Sequence, residues 1–115
     1  MSGDLEWTSV PVALPDPGRT RAFTIGGEAY VLCNAHGTPF VLRDECSHAR
    51  TPLSGGRLCG FVLECPLHGG KIDVRDGSPA APPVRRPVAS FPVRVVEAGR
   101  IEVGLARPVG EKARA

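Results

Sequence analysis

The chain has 115 residues, 42% of them hydrophobic, and a formal net charge of +2. This length allows one domain with a modest core. The charge is too small, and the lysines and arginines too scattered, to indicate binding to nucleic acid or to an anionic membrane. Aromatic residues make up 5% of the chain, which is too few to form a platform for stacking bases.

The N-terminal segment contains no recognisable targeting signal. Its sequence, MSGDLEWTSVPVALPD, has early acidic residues and no continuous apolar stretch, unlike a secretory signal. No apolar run approaches the length of a membrane span. We therefore expect a cytoplasmic monomer with no membrane partner. In the cytoplasm, paired cysteines indicate metal or redox chemistry more often than structural disulfides.

Short strands joined by tight turns are the elements that the sequence predicts in chain order. The 14 glycines and 12 prolines are spread in short clusters, which disfavours long helices. Alternating apolar residues predict a hairpin over residues 20–34, with its turn at Gly26-Gly27, and a further strand over 36–44. The clearest hairpin is residues 91–105. The pattern is that of an all-β, antiparallel domain.

A different stretch separates the early strands from the late ones. Between residues 46 and 80, short strand candidates alternate with loops that contain glycine. We expect a base formed by residues of about 5–44 and 81–105, in which early strands pair with late strands. An insertion of about 45–80 would be carried on this base. Residues 106–115 would form a C-terminal tail. The strand candidates of the insertion are Arg57–Leu58, Phe61–Glu64 and Lys71–Val74.

Two cysteine–histidine pairs lie in this stretch. Residues 46–48 read CSH, and sixteen residues further on residues 65–68 read CPLH. Each pair opens a loop after a predicted strand, and two loops that leave adjacent strands can meet at their tips. Such a pattern is improbable as an accident, so four residues are candidate metal ligands: Cys46, His48, Cys65 and His68. Two thiolates and two imidazoles suit either structural zinc or a 2Fe–2S cluster.

The remaining cysteines and histidine have simpler interpretations. Cys33 lies in the apolar run AYVLC, where a free cysteine behaves as a small hydrophobic residue. We expect Cys59 to behave similarly. His36 precedes Gly37 in a predicted turn and is expected at the surface.

The residues around the two pairs resemble Rieske-type ferredoxins, the electron carriers of multicomponent ring-hydroxylating oxygenases. C-x-H followed by CPLHGG matches the Rieske pattern, and the segments LSGGRLCGFVLECPLHGGKIDVRDGSP and PVASFPVRVVEAGRIEV are similar to that family. The resemblance covers about residues 5–105. It implies the Rieske fold, an antiparallel β-sandwich base with an inserted cluster-binding subdomain of short strands and loops. It also implies one 2Fe–2S cluster per chain, with Cys46 and Cys65 on the inner iron and His48 and His68 on the outer iron.

The same resemblance implies a function and partners. The chain would take single electrons from a flavin-containing, NAD(P)H-dependent ferredoxin reductase and deliver them to a terminal Rieske non-haem iron oxygenase of aromatic hydrocarbon catabolism. It would catalyse no reaction itself. The alternative is the small Rieske subunit of an assimilatory nitrite reductase. A self-contained oxygenase would need two further histidines for a mononuclear iron, and only His36 is left.

Two further expectations concern the loops around the cluster. High-potential Rieske proteins carry a disulfide and two side-chain donors at positions that correspond here to Thr51, Leu67, Gly70 and Ile72, none of which can play those roles. This indicates a low potential. The resemblance also implies which residues form the loops around the cluster: Gly55-Gly56, Pro66 and Gly69-Gly70. Because glycine has no Cβ, backbone N–H groups of these loops could approach the cluster.

The surroundings of the two histidines are expected to form the face that meets a partner. This face would be small and mainly apolar, which suits brief encounters. Its members would be Ala49, Arg50, Pro52, Leu53, Pro66 and Leu67. Basic side chains surround the insertion, so the identity of the partner does not follow from the resemblance. They are Arg50, Arg57, Lys71, Arg75, Arg85 and Arg86.

Overall fold

A computed structural model describes residues 5–47, 50–67 and 69–106, which form an all-β architecture of three antiparallel sheets. No helix among these residues has the length and apolarity needed to cross a membrane. A 3-10 turn, Glu97–Gly99, connects the last two strands. The strands are β1 (Leu5–Ser9), β2 (Thr20–Ile25), β3 (Glu28–Ala35), β4 (Thr38–Arg43), β5 (Arg57–Cys59), β6 (Val62–Glu64), β7 (Lys71–Asp73), β8 (Pro79–Ala81), β9 (Ser90–Phe91), β10 (Val93–Val95) and β11 (Ile101–Ala106).

Strands from both ends of the described chain pair with each other. The first sheet has the order β1-β11-β10 and the second has the order β2-β3-β4-β9. Leu5 lies opposite Ala106 at one end of the β1–β11 pair, and Val41 lies opposite Phe91 in the β4–β9 pair. The predicted pairing of early and late strands is therefore confirmed. The third sheet, β5-β6-β7-β8, contains strands from residues 57–81 alone.

The predicted hairpins are present, with turns where glycine permits them. Ile25 pairs with Glu28 across Gly26-Gly27, so β2 and β3 form a two-residue hairpin. In the last hairpin, Ala98 and Gly99 both have positive φ angles, of 63° and 73°. The sequence did not indicate β1 or β8. Each is held by pairing with a partner strand, β11 or β7, rather than by its own alternation.

The second sheet is covered on both faces, which gives the molecule two cores. Tyr30 and Leu32 of β3 pack in one core with Ile101 and Val103 of the first sheet. The alternate residue Val31 points into the other core. Six consecutive residues of β3, Tyr30–Ala35, are consequently buried, because opposite faces of a strand serve different cores.

The second core lies between the second sheet and the third sheet, and it contains both candidate cysteines. Leu63 and Ile72 of the third sheet pack in it with Cys46 and Cys65. The loop of Cys46 follows β4 and that of Cys65 follows β6, strands that belong to different sheets. The expectation that the two loops leave adjacent strands was therefore wrong. The packing of one sheet on the other brings them together.

Candidate metal centre

The first ligand loop follows β4 and folds back on itself at Cys46. The backbone N–H of Cys46 donates to the carbonyl of Thr51 at 2.7 Å, and the N–H of Arg50 donates to the carbonyl of Cys46 at 2.8 Å. Arg50 has a positive φ of 54°, so the chain reverses at this residue. These two backbone hydrogen bonds hold the Cys46 side chain in the core, where the residue has no exposed surface.

Asp44 holds the two ends of this loop together. One carboxylate oxygen, Oδ1, accepts the backbone N–H groups of Leu53 and Ser54, both at 2.7 Å, and Oδ2 accepts the Ser54 hydroxyl at 2.7 Å. Hydrogen bonds to an ionised acceptor are stronger than those between neutral groups. Sequence reasoning did not identify this residue. An aspartate and a serine that are ten residues apart in the chain give no local signal of contact.

The second ligand loop follows β6 and is shorter. The N–H of Cys65 donates to the carbonyl of Gly70 at 2.6 Å, and the N–H of Gly69 donates to the carbonyl of Cys65 at 3.1 Å. Gly69 has a φ of 76°, a conformation that a residue with Cβ adopts only under strain. Cys65 is 1% exposed. Tight loops that follow strands of two different sheets thus place both candidate cysteines in one buried core.

The arrangement of Cys46 and Cys65 suits a metal cluster bound partly by thiolates. Two sulfur donors reach one core from separate loops, and both are shielded from water. The other two candidate ligands, His48 and His68, lie outside the described residues. Within the described ranges, no group of three or more histidine, cysteine, aspartate or glutamate side chains could hold a metal ion by itself.

Two of the predicted loop glycines are required by close contacts. A Cβ at Gly56 would lie 2.1 Å from the Glu64 carbonyl oxygen, so only glycine allows this approach of loop and strand. A Cβ at Gly70 would lie 2.6 Å from Cγ2 of Val84, a stiff and buried side chain. A serine at Gly70, which would otherwise add a hydrogen-bond donor near the cluster, is therefore not tolerated without displacement of Val84.

The second of the two donor positions is Ile72, which is fully buried and has no side-chain donor. At the two disulfide positions, Thr51 and Leu67 have no sulfur, and Leu67 is 54% exposed. The expectation of a low potential thus remains a prediction.

The cysteines and histidine that were set aside fall in three environments. Cys33 is fully buried, as predicted, and burial, with a smaller effect of the Asp44 charge, raises the pKa of its thiol to about 12. Its thiol therefore stays protonated and unreactive at neutral pH. The prediction for Cys59 was wrong, because this residue is exposed at the end of β5. His36 is exposed, as expected, with its ring edge-on to Phe61 at 5.0 Å.

The expected docking face needs one correction. Leu53 is fully buried in the second core, so it contributes no surface. Pro52, Pro66 and Leu67 are exposed, and Arg50 is exposed and paired with Glu45. Ala49 lies outside the described residues.

Comparison with known proteins identifies the class to which this fold and this site belong. The family model for the Rieske 2Fe-2S domain matches residues 9–92. The chain belongs to this family, and its cofactor is a 2Fe–2S cluster. This decides between the two metal interpretations in favour of the cluster.

Curated relatives within the family are named as ferredoxins. The chain is 42% identical over 66 residues to the anthranilate 1,2-dioxygenase ferredoxin subunit of Burkholderia cepacia, which is 57% of this chain and 60% of that protein. It is 40% identical over 79 residues to the biphenyl 2,3-dioxygenase ferredoxin component of Rhodococcus jostii strain RHA1, covering 69% and 74% of the two chains. The match thus spans less than two thirds of the first relative.

A solved structure of a ferredoxin superimposes on this fold. The ferredoxin of carbazole 1,9a-dioxygenase from Nocardioides aromaticivorans IC177 matches with a TM-score of 0.77 and 32% identity, over 84% of this chain and 95% of that chain. These relatives are all named as ferredoxins or ferredoxin components.

Proposed function

We propose that this protein is a low-potential Rieske ferredoxin that carries single electrons from a flavin-containing, NAD(P)H-dependent reductase to a terminal Rieske non-haem iron oxygenase. Relatives that are named ferredoxin components of dioxygenase systems support the proposal. So does the likeness to the ferredoxin in a complex of reduced oxygenase and oxidised ferredoxin of carbazole 1,9a-dioxygenase, with a TM-score of 0.79 and 33% identity. The proposed reductase, this carrier and the proposed oxygenase would together form an aromatic ring-hydroxylating system.

The observation that carries the proposal is the burial of two cysteines from separate loops in one core. We propose that Cys46 and Cys65 bind one iron of the cluster and that His48 and His68 bind the other. When bound, such a cluster accepts and releases one electron, and imidazole ligands raise its potential above that of an all-cysteine cluster. The chain itself shields the thiolates from water through Leu53 and Leu63, which are fully buried beside them.

The domain organisation and the location are part of the same proposal. We propose one Rieske domain, with a base of about 5–44 and 81–105 and a cluster-binding insertion of about 45–80. The proposed tail, apart from Ala106, lies outside the described residues. Because NAD(P)H is available in the cytoplasm, we propose that the protein works there. We also propose that it is a monomer.

The nitrite reductase alternative has no observation of its own here. A putative NADH-dependent nitrite reductase small subunit from Mycobacterium tuberculosis has a TM-score of 0.74 but 24% identity, which bears on the fold alone.

Reconstitution tests the proposed function. The protein is mixed with NADH, a flavin-containing ferredoxin reductase and a terminal Rieske oxygenase, and product formation is followed with and without it. Product that depends on the protein would support the proposal. A stable complex with a sirohaem protein, together with no electron transfer to an oxygenase, would contradict it.

We expect a midpoint potential near the bottom of the Rieske range, on the order of −150 mV. The reason is that Leu67, Gly70 and Ile72 supply neither a disulfide nor side-chain donors to the cluster. Redox titration followed by electron paramagnetic resonance measures the potential. A value above about +100 mV would mean that backbone donors, rather than these side chains, dominate.

Leu67→Glu is expected to slow electron delivery to the oxygenase several-fold while the visible spectrum stays nearly unchanged. Leu67 is 54% exposed and follows the second ligand cysteine by two residues. A charge there must lose water when a partner docks. Stopped-flow transfer rates measure the effect.

The matched control for this variant is Val95→Glu. Val95 is 58% exposed, so its replacement adds the same charge at a second exposed apolar side chain, on β10 of the first sheet. We expect normal transfer from this variant. If the two variants transfer electrons equally well, the partner does not dock at Leu67.

A further inference from the structure

Two surface depressions border the ligand loops, and arginines line both. The first has a volume of about 180 Å³ and is lined by Arg85 and Arg86 together with Ser47, the residue after Cys46. The second has a volume of about 460 Å³ and is lined by Arg19 and Arg57, together with backbone and side chains of the second ligand loop. The second loop contributes Cys65, Pro66 and Gly69 to it.

These four arginines are not neutralised within the described part of the chain. All four are exposed, and none forms an ion pair with a described carboxylate. Among the described residues, the one acidic side chain that lines either depression is the half-buried Glu64, opposite Arg57 in the β5–β6 pair. Four other described arginines do form ion pairs with acidic side chains. Such pairs are Arg43–Glu28, Arg50–Glu45, Arg75–Asp73 and Arg94–Glu102.

Hydrogen bonds fix the backbone from which two of these side chains project. The Ser47 hydroxyl donates to the carbonyl of Arg86 at 2.7 Å, which ties the arginine segment to the first ligand loop. At the second depression, the backbone N–H of the buried Asn34 donates to the carbonyl of Arg19 at 3.1 Å. Positive charge is thus held beside both ligand loops by contacts that do not use the guanidinium groups.

We propose that these four residues, the flanking arginines, dock an acidic surface of the redox partner protein. This inference rests on the proposed function as an electron carrier. The net charge of the whole chain is only +2, so the unpaired cations produce a local rather than a general attraction. The guanidinium group pairs with carboxylates through two parallel hydrogen bonds. Charges of one sign around an electron-transfer site also raise the rate of encounter with a partner of opposite charge.

The test compares two double variants that change the net charge equally. Arg85→Glu/Arg86→Glu alters two of the flanking arginines. Arg21→Glu/Arg100→Glu is the matched control, since both of its arginines are exposed, lack an ion pair with a described residue and line neither depression. Each protein is reduced with dithionite and mixed by stopped flow with an acidic haem protein, cytochrome b5, or with a basic one, cytochrome c.

At low ionic strength we expect the Arg85/Arg86 variant to reduce cytochrome b5 about tenfold more slowly than the wild type, and cytochrome c faster. The control should stay within about twofold of the wild type with either oxidant. Added salt should shrink the difference, because it screens exposed charges. This pattern would support the proposal.

Three results would overturn it. Equal effects of the two double variants would show a response to net charge alone. Unchanged rates in the Arg85/Arg86 variant would show that its charges do not steer docking. Inhibition by inorganic phosphate, but not by chloride of equal ionic strength, would make the depressions small-anion sites. A wild-type protein that dithionite does not reduce would instead contradict the proposed function itself.

Discussion

Cys46→Ala and Cys65→Ala are each expected to yield protein without a cluster. Wild-type protein should contain iron and acid-labile sulfide in equal amounts, about two of each per chain, and either substitution should reduce both to near zero. Each removes an anionic sulfur ligand from a buried position that has at most 1% of its surface exposed, where water cannot take its place. Metal and sulfide analysis, with the visible spectrum, measures the result.

The other two cysteines supply the controls for this experiment. Cys59→Ala removes an exposed thiol and should leave the cluster intact. Cys33→Ala should also retain it, because Cys33 lies within β3 and belongs to neither ligand loop. Zinc in stoichiometric amount without sulfide in the wild type would refute the cluster assignment. Full cluster content in Cys46→Ala or Cys65→Ala would refute the ligand assignment.

Asp44→Ala is expected to destabilise the first ligand loop by about 2–4 kcal/mol. The substitution removes the acceptor for the N–H groups of Leu53 and Ser54 and for the Ser54 hydroxyl. Leu53 is fully buried, so water cannot easily replace the lost partner of its N–H group. If opening of this loop limits cluster loss, release of iron to a chelator should be faster by a factor on the order of ten or more.

Asp44→Asn separates the hydrogen bonds from the charge. The amide oxygen of asparagine can accept the same two N–H groups, and its NH₂ group can donate to the Ser54 hydroxyl oxygen. We expect iron release from this variant to lie between those of the wild type and Asp44→Ala, because the bonds are no longer charge-assisted. Release from Asp44→Ala at the wild-type rate would show that Asp44 does not hold the loop.

Several side-chain environments could not be predicted because they depend on distant contacts. Leu53 follows a proline in a loop, where no periodicity indicates a face, yet it fills the second core. Cys59 and Cys33 both lie in apolar stretches, but β5 has three residues and directs Cys59 outward, whereas β3 is covered on both sides. The contact of Asp44 with Ser54 likewise joins residues that no local pattern connects.

The sequence by itself determined the all-β class, the main hairpins and the four candidate ligands. These features depend on local signals: alternation of apolar residues, glycine at turns and the short spacing of cysteine and histidine. The tertiary structure decided how the two loops meet. Cys46 and Cys65 lie in one core because the third sheet packs against the second sheet, a contact between surfaces that are distant in the chain. Burial and hydrogen-bond partners follow from such packing, so they cannot be deduced from spacing alone.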